Sequence, residues 1–552
     1  MTARSWVRNL FARTPRTVRK APARCRPAVE ALEDRLAPAT FVLQNLNDSG
    51  VGSLRWAIQQ ANANSDPSDT INFDSSIVQQ KISLNSPLPT IATNLTIHGD
   101  PNGALVGLST VLGNGTGTVL DVGAGYTLTL DRLAITGGGS AATPRGGALI
   151  NYGTTNLTGC TISDSVAQEG GGIYNVGTMT ITGSTITNNR NTDLAGRGGG
   201  IFNIGALTVS GSTVSGNQSL AYGGGIASAS VLQASLTVTD STVSGNQGTF
   251  GGGIAVLGGT SALTSVTLRG NTARGHDGQT DWAQRGAGGG LAVDGGTVTI
   301  TGCTIESNTA QGGGGTTGTT GTAGTAGGTI FGGDGETGGT GGTGGNGGTG
   351  GDAFGGGVYV GNATVSVLSS TVAGNIALGG AGGAGGTGGT GGTGGSSNVR
   401  PDPFVTLHPH GGPGGAGGTG GAGGQGGAGS GGGFHVDGGT LTFMNSTLAD
   451  NQVSIGAGGT GGAGGAGGLG GTFTPGTLSG TGGNGGTGGN GGTGGAAGTA
   501  TGGWLVHTGG AVQLVNATVT DNRTGSAAGG AGGAAGVGGA FGLGTPNGTQ
   551  GG

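Results

Sequence analysis

A glycine triplet followed by an aliphatic or aromatic residue returns at intervals down this chain, and that return constrains its fold more than any other feature. The triplet stands at 170–175 (GGGIYN), 198–203 (GGGIFN), 223–227, 251–256, 288–293, 355–360 and 431–436. Between copies lies an alternating run that closes on asparagine, as in 207–217 (LTVSGSTVSGN), 236–246 (LTVTDSTVSGN), 298–308 (VTITGCTIESN), 365–375 and 441–451. The closing residues are Asn189, Asn217, Asn246, Asn271, Asn308, Asn375, Asn451 and Asn522, and the first intervals are 28, 29 and 25 residues. A fixed period of that length marks a solenoid. Successive strand residues face opposite sides, so Val209 and Val214 point inward while Thr208 and Thr213 point out. One rung cannot bury its own aliphatic row, but stacked copies make a continuous core with backbone hydrogen bonds running from rung to rung. The expected fold is all-β, a right-handed parallel β-helix with three short strands per turn. Asparagine suits the closing corner because its side chain bonds backbone groups, tolerates left-handed geometry and pairs with its copy on the next rung; the eight residues are read as a structural ladder.

Composition agrees with a solenoid and excludes several alternatives. With 147 glycines in 552 residues, 8% charged and 4% aromatic, the chain cannot fill one compact globular core. Its net charge of −5 hides an asymmetry, since residues 1–39 carry nine Lys or Arg and three acids against eleven and twenty-two in the remainder. Lys20 and Lys81 are the only lysines, too few for a phosphate-tracking surface, so no nucleic acid is expected as partner. Cys160 and Cys303 fall in one repeat slot that other rungs fill with serine. At about 4.8 Å per rung they stand too far apart to bridge. Without a run of eighteen apolar residues, no transmembrane helix is expected.

The chain divides into a basic leader (1–39), an N-terminal cap with the first rungs (40–145), regular repeats (146–308) and rungs carrying Gly-rich insertions (309–552). Residues 29–39 (VEALEDRLAPA) resemble the LEPR-XLL-type leader motif of large bacterial extracellular proteins, which implies export; a disordered basic arm is the competing reading. Ser53 then reads as the N-cap of a short helix with Leu54, Ala57, Ile58 and Ala61 on one face, placed to cover the open end of the first rung. Strand-like runs follow at 70–73, 81–84, 95–97 and 126–130. The opening NDSGVGSLRWAIQQANAN…DTINF resembles the cap of bacterial right-handed β-helix surface proteins. The triplet and closing-Asn pattern is similar to the repeats of polymorphic outer-membrane-type surface proteins, which implies adhesion. It departs from them in having no Phe before the closing Asn, where that family puts one. No autotransporter barrel pattern follows, so export by that route is not expected.

Later Asn-to-Asn intervals grow to 67, 76 and 71 residues, and the added length lies in three insertions at 309–354, 376–430 and 452–501, before a Gly-rich tail at 523–552. All leave the same corner of successive rungs. Each has two legs of period-three Gly-Gly-X and a non-repeating tip: Ile330-Phe331, residues 396–410 and residues 472–479. Period three is that of a polyproline-II-like helix rising about 3.1 Å per residue, so the legs would reach roughly 50–60 Å. Stacked polyglycine-II-like hairpins packed on the β-helix are the expectation. Flexible linkers are the alternative, favoured by the entropy of ordering glycine.

Right-handed β-helices also carry polysaccharide-active enzymes, which need clustered carboxylates with a basic neighbour. The chain has no Asp-Asp pair, no Gly-His-Gly and no lysine after Lys81. Asp131, Asp164, Asp240 and Asp294 read as turn or exterior residues. No catalytic residue, cofactor or metal is expected. Two segments depart from the bland background, 272–285 with Trp282 and Arg285, and the tip 398–410 with Arg400, Phe404, His408 and His410. These six residues are the recognition candidates. The sequence therefore points to an extracellular or cell-surface structural or adhesive monomer without catalytic activity, contacting a cell-surface glycan or protein. The alternatives are a polysaccharide lyase or hydrolase, and ice or mineral binding by Thr-rich faces.

Overall fold

The computed structural model divides the chain into two units, 1–37 and 38–552, and describes residues 38–64, 66–100, 107–230, 234–398, 409–474 and 481–541. The second unit is a right-handed parallel β-helix. Every named strand pairing in it is parallel, in a 21-stranded sheet, a 12-stranded sheet and shorter ladders at the corners. A typical rung runs through a three-residue strand after the glycine triplet (Ile201–Asn203), a five-residue strand (Ala206–Ser210) and a three-residue strand (Thr213–Ser215). Many rungs add a further piece of two or three residues after the closing asparagine, such as Thr272–Arg274. The three-strand expectation thus understates the turn, because the segment after the corner is too short to announce itself by alternation.

Register explains the core. Leu207 pairs with Met179 and Leu236, and Val209 with Ile181 and Val238, so like residues stack in columns that are 1% exposed or less. The first rung is covered by α1 (Leu54–Ala63), whose N-cap Ser53 accepts from the Trp56 amide and whose Leu54, Ala57, Ile58 and Ala61 are buried.

All eight closing asparagines stand in one ladder inside the solenoid. In each step from Asn189 to Asn522 one Oδ1 accepts from both the side-chain amide and the backbone N–H of the asparagine below, at 2.9–3.1 Å. The third glycine of the triplet lies against this ladder; a Cβ on Gly290 would stand 3.0 Å from the Asn308 amide nitrogen. A second ladder, Asn151–Asn175–Asn203–Ser228, runs behind the first at 2.7–3.1 Å. Cys160 and Cys303 are free, buried and five rungs apart in the serine column, where their amides donate to Ser184 and Ser370.

The Gly-rich insertions are packed hairpins, and the tail adds a seventh leg. The legs are 312–327 with 335–351, 379–395 with 411–427, 456–471 with 483–498, then 525–541. Within a column each leg donates to its copy one layer on, as Gly318 to Ala384, Gly385 to Thr460 and Gly461 to Ala531, all at 2.8 Å. Between columns a single line of bonds at 2.7–2.8 Å crosses every leg, through Thr322, Gly342, Gly389, Gly418, Gly465, Gly489 and Gly536. A Cβ on Gly389, Gly418, Gly465 or Gly489 would overlap a neighbouring carbonyl, and one on Gly342 would meet the Thr322 hydroxyl. Only the outward positions of the outer legs escape this restriction. The first uses one glycine in three (Thr316-Thr317, Thr319-Thr320), and in the last a Cβ on Gly529, Gly532 or Gly538 would meet nothing nearer than 3.3, 3.6 or 3.7 Å. The hairpin tips pair in parallel through Ile330–Phe331, Ser397–Asn398 and Phe473–Thr474.

Candidate functional site

The bend at each glycine triplet is concave, so the residue before it faces the second residue after it across a groove that runs along the rungs. One wall reads Glu169, Arg197, Tyr222, Phe250, Ala287, Phe354 and Ser430; the other reads Tyr174, Phe202, Ala227, Ala255, Ala292, Tyr359 and His435. Over the first rungs the groove is closed by the chain's own cations. Arg145 lies 5.0 Å from the Tyr174 ring centre, and Arg197 lies 5.6 Å from Phe202 and 5.9 Å from Tyr222.

At the rung of Ala287 and Ala292 both walls are small, and there the groove opens into a cleft of about 220 Å³. Phe250 and Tyr359 meet edge to face at 5.2 Å across the alanines, and His435 stacks on Tyr359 at 5.7 Å. The outer lip is Trp282, on a short 3-10 helix (Trp282–Gln284) capped by Asp281, with its ring stacked on Tyr222 at 5.7 Å. This loop is held from both sides: His276 Nε2 lies 2.6 Å from the Leu220 carbonyl, and Gln284 donates to the Thr349 carbonyl at 2.6 Å while its own carbonyl accepts from Gly313. The base of the first hairpin therefore positions the Trp282 lip. Arg285 lies over Phe354 at 5.8 Å.

Two carboxylates stand at the mouth. Asp294 and Asp437 follow equivalent strands two rungs apart, with Gly361 in the slot between them. Asp294 leans across that glycine, where a Cβ would overlap its Oδ1. Asp437 accepts from Thr508 at 2.8 Å and from the Tyr359 hydroxyl at 3.4 Å. Burial, with the two aspartates beside it, pushes the Tyr359 hydroxyl far above its ordinary range, so it stays a donor. Burial drives His435 down to about 4, and its Nδ1 lies 2.9 Å from Ser430 Oγ; the ring is neutral at physiological pH.

Of the six recognition candidates, Trp282 and Arg285 come together in this cleft. His410 lies instead at the far end of the legs, where its amide donates to Asp334 at 2.7 Å and its Nδ1 sits 2.6 Å from Thr481 Oγ1. Arg400, Phe404 and His408 lie outside the described residues. Asp164 and Asp240 occupy left-handed turns at φ 53° and 49°, and Asp131 pairs with His98 and Arg132. Asp294, taken from sequence as another exterior residue, lines the cleft. Aligning the repeats on the triplet exposes the aromatic columns; reading along the chain does not.

Among the described residues no three His, Cys, Asp or Glu side chains gather as a metal centre, and no helix is long and apolar enough to cross a membrane. Residues 95–305 match the family model described as right handed beta helix region, a domain found in surface proteins and in polysaccharide-active enzymes. No curated protein matches the chain.

Proposed function

We propose that the protein is an exported cell-surface adhesin, acting as a monomer, that recognises a glycan in the aromatic cleft between Trp282 and Tyr359. The observation that carries this reading is the cleft itself: rigid rings with a few fixed polar groups at the rim, in a groove otherwise filled by its own side chains. The leader-like segment at 29–39 supports export, and the small share of charged residues fits a structural exterior. The test uses the flanking rungs as a guide. Phe250 and Phe354 occupy the Ala287 slot on either side, so Ala287→Phe is compatible with the ladder and fills the cleft. Glycan-array binding by the full chain is expected to fall at least about tenfold in this variant with its β-helix intact. Unchanged binding places recognition elsewhere.

A second reading, a polysaccharide hydrolase, is favoured by the pair Asp294 and Asp437. Two rungs at about 4.8 Å separate their backbones by roughly 10 Å, near the ~6.5–9.5 Å between the carboxyls of inverting glycosidases. Release of reducing ends that Asp437→Asn abolishes, with binding retained, establishes that reading; binding without release keeps the adhesin.

A further inference from the structure

We infer that the cleft selects a cationic sugar, an amino sugar whose nitrogen is unacetylated, over neutral or uronic sugars. This rests on the proposal that the cleft is the glycan site, and it follows from how the groove treats charge along its length. Along the groove, cations of the chain itself lie over four of the rings: Arg145 on Tyr174, Arg197 on Phe202 and Tyr222, and, in the lining of the cleft, Arg285 on Phe354. The ring faces of this groove are negative and attract such groups. Among the described residues Phe250, Tyr359 and Trp282 have no cation over them, and these rings line the part that is open.

Charge at the opening points the same way. The groups facing it are Asp294, Asp437, Arg285, His435, Tyr222 and Tyr359. His435 is neutral down to about pH 4, and burial raises both tyrosines so that neither ionises. Two carboxylates therefore face one guanidinium, and that guanidinium is engaged on Phe354. Asp437 is oriented by Thr508 and Tyr359, whereas Asp294 has no hydrogen-bond donor among the described residues and leans over Gly361 toward it. A primary ammonium has three donors on a compact charge, which suits it to the mouth between the two carboxylates while the pyranose ring lies on Tyr359 or Trp282. A polyuronate would bring like charge against Asp294 and Asp437. A neutral N-acetyl sugar offers hydroxyl and amide donors but no positive charge to set against the two carboxylates.

The experiment measures binding of the full chain to three soluble oligosaccharides, β-1,4-glucosamine oligomers, their N-acetylated counterparts and oligogalacturonate, at a pH where the amines are protonated. Expected is a preference for the glucosamine oligomers of at least about tenfold, lost on the order of tenfold by Asp437→Asn or Asp294→Asn and weakened by salt as the Debye length contracts from about 10 Å to about 3 Å. Equal affinity for acetylated and unacetylated oligomers, or a preference for oligogalacturonate, overturns the inference and leaves the glycan cleft standing if Ala287→Phe abolishes that binding. Tight binding of all three that Ala287→Phe does not affect removes the cleft from recognition altogether. Binding of oligolysine as tight as that of the glucosamine oligomers shows a site for ammonium groups without the sugar, and also overturns it.

Discussion

The solenoid body and the hairpin bundle repeat in step, rung on layer, yet opposite means hold them together. In the body, aliphatic columns and a ladder of side-chain amides fill the interior, and glycine is needed mainly at the concave bend, where the first residue of each triplet takes φ between 59° and 71°. In the bundle the contact between inner legs is chiefly backbone on backbone. The backbones approach until N–H meets C=O, and glycine is required because anything larger would occupy the space of that bond. The body is thus stabilised by what its side chains bury, the bundle by what its residues lack. Two bonds per three residues must then offset the entropy of ordering glycine, so the bundle depends on the body to hold successive legs at rung spacing. Damage should spread from body to bundle but not back.

The largest effect is expected from Asn308→Ala. It strands the buried Asn271 amide and the Leu268 carbonyl, each costing about 1–3 kcal/mol, so a loss of roughly 4 kcal/mol is expected in the rungs on either side. Because the first hairpin leaves the chain directly after Asn308, legs 312–327 and 335–351 should lose hydrogen-exchange protection as well. Protection retained in those legs would mean that the bundle stands by itself.

Acid separates the regions next. The buried His435 ring has a folded pKa of about 4 against an ordinary value near 6.5, so below pH 6.5 the unfolded chain takes up a proton that the fold refuses. Local stability should fall progressively from pH 6.5 to 4, by about 3 kcal/mol in all. Exchange protection around 429–436, read against pH, should follow that curve and flatten in His435→Phe. Leg 411–427 has no ionisable side chain and should not respond.

Glycine substitutions sharpen the contrast inside the bundle. Gly418→Ala drives a methyl into the Gly342 carbonyl and should cost about 1–3 kcal/mol, seen as lost protection in legs 335–351, 379–395 and 411–427 with the rungs unaltered. Gly532→Ala, on the outer side of the last leg where 3.6 Å is free, should change protection by nothing measurable. Equal effects would show that backbone entropy, not close approach, dictates glycine.

Much of this architecture is legible because it repeats. Asn189 through Asn522 declare the ladder by spacing, Ser53 and the apolar face behind it declare the cap, and period-three glycine declares legs in contact. The cleft is not legible in that way. Its rings come from residues as far apart as Tyr222 and His435, on rungs whose separation the insertions stretch irregularly, and the opening itself comes from two alanines, Ala287 and Ala292, which carry no signal alone. The second ladder was hidden by its brevity, since Asn151, Asn175 and Asn203 end at Ser228 before a period is established.

The smallest structural effect is expected at the hairpin tip, which is where the two regions compete for the adhesive role. Replacing Arg400, Phe404, His408 and His410 together with serine removes one described contact pair, that of the His410 side chain with Thr481; the amide bond from His410 to Asp334 needs no imidazole. His410 stands at the far end of leg 411–427, roughly 50 Å of leg from the Trp282 lip at about 3.1 Å per residue. Rung and leg protection should therefore stay at wild-type values, and glycan binding in the cleft should be unchanged. Attachment of whole cells or coated beads is the measurement that separates tip from cleft. If the serine variant loses attachment while Ala287→Phe keeps it, the bundle is the adhesive arm and the body its base. If the order is reversed, the bundle's part is to pin the Trp282 lip through Gln284, Gly313 and Thr349, and excising the first hairpin should then weaken glycan binding while excising the third leaves it intact.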